Sequence, residues 1–238
     1  MGARDMRMSS RKSRVGLALV GSVGALSLAA SPAVAAPTTA ALWHMDEAAG
    51  TRTMVDYSGW HNDGSVPAGV TAGIAGAAGS AYHFDGRSLV RVPHDSSLNP
   101  GTAPITISAW IRVPANLVKG DYNVVQKGVA TTTGGAYKLE IHASTSTKFG
   151  YPACAFNGPT TAKNRVYGPV RVNDGKWHRV ECHLTATQAY AVVDGQSGPV
   201  AKRAVSSISN TTDVTLGGKP TNKHYFVGDL DEVSIRIG

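Results

Sequence analysis

The segment ITISAWIRV, residues 105–113, alternates apolar and polar side chains at every second position. The apolar residues occupy the odd positions: Ile105, Ile107, Ala109, Ile111 and Val113. Successive side chains of a β-strand point to opposite faces, so this pattern predicts a strand with one face in a hydrophobic core.

Further short segments, rich in β-branched and aromatic residues and bounded by Gly, Pro, Asn or Asp, also predict strands: YNVVQKG, YKLEIHAS, KWHRVECHL, AYAVVDG, DVTLGG and FVGDLDEVSIRI. Asp194-Gly195, directly after an apolar run, predicts a type I′ hairpin turn. The Ala-rich segment 71–81 is a poor helix because of its glycines. The chain is therefore predicted to be all-β, a sandwich or barrel of short antiparallel strands.

The N-terminal region has the features of a secretory signal peptide. Residues 1–14 hold five basic residues and one acid, and the next sixteen residues carry no charge. Ala33-Val34-Ala35 fits a small-residue cleavage site, so we expect cleavage between Ala35 and Ala36 and a secreted protein. The apolar run is short for a membrane span, which needs about 20 residues. Residues 36–238 are predicted to form a single domain, without a membrane span.

The charge distribution argues against a nucleic-acid partner. Residues 1–35 contain five of the 23 Lys and Arg residues and one of the 16 Asp and Glu residues, which leaves 18 against 15. The remaining basic residues are scattered, and Lys202-Arg203 is their only adjacent pair. A nucleic-acid-binding domain is expected to carry a basic stripe instead.

The two cysteines, Cys154 and Cys182, lie in predicted strands and share a face with apolar residues. Two cysteines in an exported protein usually pair, and neighbouring strands bring Cβ atoms to bridging distance. We predict a Cys154–Cys182 disulfide that contributes about 3 kcal/mol to stability. Two separate buried thiols are the alternative. No C-x-x-C motif supports a metal or catalytic role.

Seven segments in succession resemble motifs of the laminin-G-like, concanavalin A-like jelly-roll family: ALWHMDEAAG, VDYSGWHNDGSV, GIAGAAGSAYHFDG, PITISAWIRV, DGKWHRVECHLT, AYAVVDG and FVGDLDEVSIRIG. The resemblance covers nearly all of residues 36–238. It implies two antiparallel sheets packed as a jelly-roll sandwich. This fold carries sugar-binding modules, adhesion domains, glycoside hydrolases and lyases, so the fold alone does not give a function.

The segment DYSGWHNDGS, residues 56–65, offers several oxygen ligands. It is not an EF-hand, because Pro67 occupies the position where that loop needs a bidentate Glu. The resemblance implies a structural calcium ion where the first and last strands meet. Its predicted ligands are drawn from Asp46, Asp56, Asn62 and Asp231. A plain turn is the alternative, since turns use the same residue types.

Motifs for catalysis are missing. The Glu-x-Asp-x-Glu strand of the family's hydrolases is absent, and Glu140 and Glu181 each stand alone in a predicted strand. The segment YKLEIHAS offers Tyr137, Lys138 and His142, but the partner strands of the family's lyases are missing. No zinc motif and no Gly-x-Ser-x-Gly elbow occurs. We therefore predict no catalytic residues.

Sugar sites use aromatic rings that stack on pyranose faces. Five aromatic residues are candidates in predicted loops. Four of them are predicted to stack on a sugar: Trp60, Tyr122, Tyr167 and Tyr225. The fifth candidate is Tyr151. Local packing is the alternative for each ring. The sequence predicts a secreted, non-catalytic domain that binds carbohydrate. Extracellular protein interaction is the second interpretation, and glycoside hydrolysis or polysaccharide lysis is the third.

Overall fold

The computed structural model describes residues 1–2, 36–221 and 224–238. The predicted signal peptide lies almost entirely outside the described residues. The described part contains seventeen strands and one short 3-10 helix, Ser96–Leu98. The strands are β1 (Thr38–Trp43), β2 (Thr53–Met54), β3 (Gly64–Ser65), β4 (Val70–Ala75), β5 (Ser80–Asp85), β6 (Val90–Val92), β7 (Ile105–Arg112), β8 (Gly120–Lys127), β9 (Ala136–Ala143), β10 (Tyr151–Asn157), β11 (Lys163–Tyr167), β12 (Trp177–Leu184), β13 (Gln188–Val193), β14 (Gln196–Ser197), β15 (Ala201–Lys202), β16 (Val214–Leu216) and β17 (Val227–Ile237).

The strands form two antiparallel sheets. Sheet A has the order β14-β13-β12-β7-β17-β5-β4, with β1 beside β17 and β15 beside β13. Sheet B has the order β11-β10-β9-β8-β16-β6-β3-β2. The predicted all-β, two-sheet jelly-roll sandwich is confirmed. Among the described residues, no helix has the length and hydrophobicity that a membrane crossing requires.

The strand β7 shows how the sequence pattern builds the core. Ile105, Ile107 and Ile111 are fully or almost fully buried, whereas Trp110 and Arg112 on the opposite face are half-buried. β9 departs from this alternation, because its residues are buried on both faces except for Lys138. Its outer face therefore carries buried polar groups, and these locate the candidate site.

The disulfide is confirmed, with one correction to its setting. Cys154 and Cys182 are bonded, and their Cα atoms lie 5.5 Å apart. The prediction placed them on neighbouring strands, but Cys154 lies on β10 of sheet B and Cys182 on β12 of sheet A. The bond therefore crosses the core and ties the two sheets together.

Two local predictions are also supported. Asp194 and Gly195 both have positive φ, 49° and 80°, and they join β13 to β14 as a type I′ turn requires. The Ala-rich segment 71–81 forms no helix. It spans most of β4, the turn that follows and the start of β5.

Candidate functional site

The candidate site is centred on the outer face of β9, in sheet B. Leu139 and Ile141 point into the core, so Lys138, Glu140 and His142 point outward. Glu140 is nevertheless fully buried and His142 is 5% exposed. A buried charge is tolerated only when it is paired and hydrogen-bonded. The neighbours of β9 supply that pairing.

Glu140 forms ion pairs with two cations, Lys138 on its own strand and Arg165 on β11. Arg165 must cross β10 to reach Glu140. It can do so because Ala153 lies opposite Glu140 and Ala155 lies opposite Arg165 on the intervening strand. The two small side chains on β10 thus let Arg165 of β11 reach a carboxylate on β9.

His142 extends this network toward β8. Its Nδ1 lies 2.8 Å from the Asp121 carboxylate, and its Nε2 lies 3.1 Å from the Thr145 hydroxyl. Burial alone would raise the pKa of Asp121, but the charges of His142 and Arg165 and a Ser144 hydrogen bond hold it below its ordinary value. We call Asp121, Lys138, Glu140, His142 and Arg165 the polar cluster.

Beside the polar cluster, β8 presents two buried amide side chains, Asn123 and Gln126. Asn123 pairs with Glu140 and Gln126 with Lys138, and a bulge between them turns both toward the outer face. Asn123 Oδ1 and Gln126 Oε1 are buried without a hydrogen-bond partner. Such an oxygen is costly, so its position favours a ligand that brings hydrogen-bond donors.

Two aromatic rings border the polar cluster. Tyr151, on β10, and Tyr167, on β11, are half-buried. The Tyr167 ring packs edge-on against His142 with 5.5 Å between centroids, and its hydroxyl accepts a hydrogen bond of 3.0 Å from Arg165. Lys148 and Arg171 lie over the Tyr151 ring at 4.7 Å and 5.9 Å. We call Lys148, Tyr151, Tyr167 and Arg171 the tyrosine rim.

Three members of the polar cluster can hold a metal ion by their geometry. One potential ligand atom from each of Asp121, Glu140 and His142 lies within 4.8 Å of the others. Lys138 and Arg165 already neutralise Glu140. A cation at this point would therefore compete with two protein cations.

The predicted calcium ligands divide into two separate sets. Asp56 accepts hydrogen bonds from the backbone nitrogens of Leu42, Ser58 and Asn62 and from the Ser58 hydroxyl. Asn62 donates to the Ala40 carbonyl at 2.8 Å and to the Ser97 hydroxyl at 2.9 Å. These contacts give both side chains a role in holding the 56–65 loop in place, as the plain-turn alternative expects.

Asp46 and Asp231 each contact the turn between β4 and β5. Asp46 accepts from the Ser80 nitrogen, and Asp231 Oδ2 accepts from the nitrogens of Ala77 and Ala78. Asp231 Oδ1 is buried without a partner, and burial raises the pKa of this carboxyl. Met45 and Glu232, beside these aspartates, have positive φ of 61° and 47°. Positive φ at a residue other than glycine marks backbone strain, which often lies at functional sites.

The structure does not gather the four predicted stacking residues. Tyr167 lies in the tyrosine rim, whereas Tyr122 packs in the core with its hydroxyl on the Val118 carbonyl. A ring in the core has no free face for a sugar, which argues against that role. Trp60 is exposed on the loop between β2 and β3, at the opposite edge of sheet B. Tyr225 is half-buried beside β8, next to His224.

The outer face of sheet A carries a groove of about 380 Å³ around Trp110. Its polar groups satisfy one another: Ser108 bonds to Ser234 at 2.8 Å, and Glu181 pairs with Arg179 and His183. The groove therefore lacks the unpartnered oxygens of sheet B. We take the outer face of sheet B as the candidate site for this reason.

The sequence reasoning missed Asp121, Asn123, Gln126 and Arg165, and it left Glu140 without a partner. Two signals could have located the site. Glu140 lies between Leu139 and Ile141, so strand alternation places its carboxylate on the face opposite to the core. On β10, Ala153 and Ala155 alternate with Cys154 and Phe156. The outer face of this strand therefore carries small side chains, over which longer side chains from the neighbouring strands can lie.

Comparisons with known proteins agree with this architecture. The binding domain of Paraclostridial Mosquitocidal Protein 1 is similar, with 16% identity and a TM-score of 0.64 over 84% of this chain and 48% of that chain. A second similar structure is domain 4 of AbnA, a GH43 extracellular arabinanase from Geobacillus stearothermophilus, solved with arabinotriose. It has 14% sequence identity and a TM-score of 0.60 over 85% of this chain and 93% of that chain. Mouse laminin α1 domains LG4-5 share 17% sequence identity with this chain, with a TM-score of 0.50 over 65% of this chain and 41% of that chain.

At these identities the similarity shows the fold alone. The chain spans about half the length of the toxin binding domain. A search of curated proteins finds no match. A sequence profile for the concanavalin A-like lectin/glucanases superfamily, of the laminin G type, matches residues 84–236. The chain belongs to this superfamily.

Proposed function

We propose that this chain is an exported, non-catalytic domain that binds carbohydrate on the outer face of sheet B. One observation carries the proposal: on one outer face of sheet B, β8 presents the unpartnered buried oxygens of Asn123 and Gln126, and β10 and β11 present the half-buried rings of Tyr151 and Tyr167. Sugar hydroxyls are donors that can satisfy such oxygens, and pyranose faces stack on aromatic rings. The AbnA domain solved with arabinotriose gives a precedent on the same fold.

The geometry favours binding over glycoside hydrolysis. Asp121 and Glu140 lie close together, as the two carboxylates of a hydrolase do. However, a general acid must be accessible and must hold a proton near neutral pH. Glu140 is fully buried under two cations, and the pKa of Asp121 is below its ordinary value. Neither carboxyl group suits that role.

Protein interaction is the second candidate, and a different surface favours it. Tyr57 and Trp60 are 58% and 52% exposed. They project from the loop that Asp56 holds with several hydrogen bonds. Exposed aromatic rings on a rigid loop are typical anchors of protein interfaces. This surface lies at the edge of sheet B remote from the tyrosine rim.

We also propose a structural calcium ion at the turn between β4 and β5. Asp46 and Asp231 would bind it, because both carboxylates contact this turn and Asp231 Oδ1 is buried without a hydrogen-bond partner. Calcium would compensate the buried negative charge of Asp231 and stabilise the region where β1 pairs with β17.

A retention assay tests the proposed function. The protein is incubated with a panel of insoluble and immobilised polysaccharides, in calcium and in chelator, and the supernatant is assayed for new sugar ends. Retention without release is the expected result. Release of sugar ends would make the protein an enzyme, and no retention on any polysaccharide would favour the protein-interaction surface at Tyr57 and Trp60.

A further inference from the structure

The tyrosine rim carries positive charge that the protein does not neutralise. Lys148 lies over both rings, 4.7 Å from the centroid of Tyr151 and 5.6 Å from that of Tyr167. Arg171 lies over the Tyr151 ring and is exposed. Within the part of the chain that the structure describes, neither Lys148 nor Arg171 forms an ion pair with a carboxylate.

The acids nearby do not offset this charge. Glu140 is fully buried, and its carboxylate is already shared by Lys138 and Arg165. Asp121 pairs with His142 at 2.8 Å on the side toward β8. The exposed part of the site therefore presents cations, while its carboxylates lie beneath them or are already paired.

Arg165 connects the buried Glu140 to the tyrosine rim. Its guanidinium contacts Glu140 below, donates to the Tyr167 hydroxyl at 3.0 Å and lies 5.5 Å from the Tyr167 ring centroid. These contacts engage the Nε and Nη2 atoms of Arg165 and fix the orientation of the guanidinium, and among the described residues Nη1 has no protein partner and can donate to a ligand. A fixed guanidinium matches the geometry of a carboxylate or a sulfate.

We infer that the ligand is an anionic polysaccharide, with carboxylate or sulfate groups placed between Lys148, Arg165 and Arg171. The sugar rings then lie against Tyr151 and Tyr167, and hydroxyl groups further along the polymer, where it extends across β9, donate to Asn123 and Gln126 on β8. This inference rests on the proposed function and adds the charge class of the ligand. The DNA backbone brings no hydrogen-bond donor to these amide acceptors, whereas every sugar ring of a glycan brings hydroxyl groups.

Matched ligands test the inference. Affinity electrophoresis in chelator compares polygalacturonate with the same polymer after methyl esterification, which removes the charge and keeps the backbone. Alginate, heparin, a neutral arabinan, a neutral β-glucan and double-stranded DNA complete the panel. We expect at least one anionic glycan to bind, its affinity to fall with added salt, and its neutral counterpart to bind more weakly.

Matched variants separate this inference from the proposed function. Lys148→Gln/Arg171→Gln should weaken anionic-glycan binding about 10-fold or more, since it removes two charge-assisted contacts to the ligand. Arg52→Gln/Lys176→Gln removes the same charge from exposed positions elsewhere and should have little effect. Tyr151→Ala/Tyr167→Ala should likewise weaken binding about 10-fold or more.

The remaining outcomes overturn the inference in distinct ways. Binding of a neutral glycan that needs the tyrosines but not Lys148 and Arg171 would refute the anionic ligand and leave the proposed function standing. Equal binding of heparin and DNA would mean general capture of polyanions. Absence of binding to every glycan would refute the inference and the proposed function together.

Discussion

Arg165 of β11 pairs with Glu140 of β9 across the intervening strand β10, above the small side chains of Ala153 and Ala155. This contact joins β9 and β11 in one cluster and places a buried carboxylate below the half-buried rings of the tyrosine rim. It also explains why the outer face of β9 is buried although it does not face the core.

The first prediction concerns this buried carboxylate. Glu140→Gln removes the negative charge that Lys138 and Arg165 share and leaves the half-buried Lys138 and the exposed Arg165 close together. We expect the free energy of unfolding to fall by about 1–3 kcal/mol, measured by urea denaturation. Glu181→Gln, on the outer face of sheet A, is the control and should cost less than about 1 kcal/mol. Equal losses in the two variants would contradict the special role of Glu140.

The disulfide should act as the main covalent link between the sheets. The double variant Cys154→Ser/Cys182→Ser should lose about 3 kcal/mol of stability, because the unfolded chain regains the freedom that the cross-link removes. Urea denaturation of this variant and of the reduced wild type measures the loss. A change below about 1 kcal/mol would show that the link across the core adds little.

Lys127 should make stability depend on pH in the alkaline range. Burial lowers the pKa of Lys127 from 10.5 to about 8, although Asp213 and Asp95 oppose this. Between these values the unfolded chain binds more protons than the folded protein, so stability should rise with pH from about 8 to 10.5, by up to about 3 kcal/mol.

Denaturation at pH 7.5, 9 and 10.5 tests this prediction in Lys127→Met, with the exposed Lys202→Met as control. The rise should disappear in Lys127→Met and persist in Lys202→Met. The same pH profile in both variants would mean that Lys127 is not the responsible group.

The proposed calcium site predicts a selective loss of response. Calcium should raise the melting temperature of the wild type relative to chelator, and Asp231→Asn should abolish the rise, because it removes the unpaired oxygen's charge. Asp56→Asn should lower stability and keep the calcium response, since Asp56 binds backbone nitrogens. Unchanged melting of the wild type with calcium and with chelator would exclude the ion.

The parts of the fold that the sequence predicts are those with local signals. The alternation of Ile105, Ile107 and Ile111 marks a strand, and Asp194-Gly195 marks a turn, because each signal is complete within a few residues. The cysteine pairing is predicted from the expectation that the two cysteines of a secreted chain pair with each other. The sheet to which each cysteine belongs needs the strand order, which no local pattern contains.

The candidate site was harder to predict because it depends on register. Arg165 reaches Glu140 only when β10 aligns Ala153 and Ala155 beneath it. Asn123 and Gln126 share a face only because β8 has a bulge between them. Tyr122 illustrates the opposite error, since an aromatic residue assigned to a loop packs in the core.

The most direct test of the account compares two matched pairs of aromatic substitutions. Tyr151→Ala/Tyr167→Ala removes the rings of the tyrosine rim, and Tyr57→Ala/Trp60→Ala removes two exposed rings at the far edge of sheet B. Isothermal titration with a polysaccharide that the wild type retains should show at least a tenfold loss, about 1.4 kcal/mol, for the first pair only. Full affinity in Tyr151→Ala/Tyr167→Ala, with loss in Tyr57→Ala/Trp60→Ala, would contradict a carbohydrate site on the outer face of β9–β11.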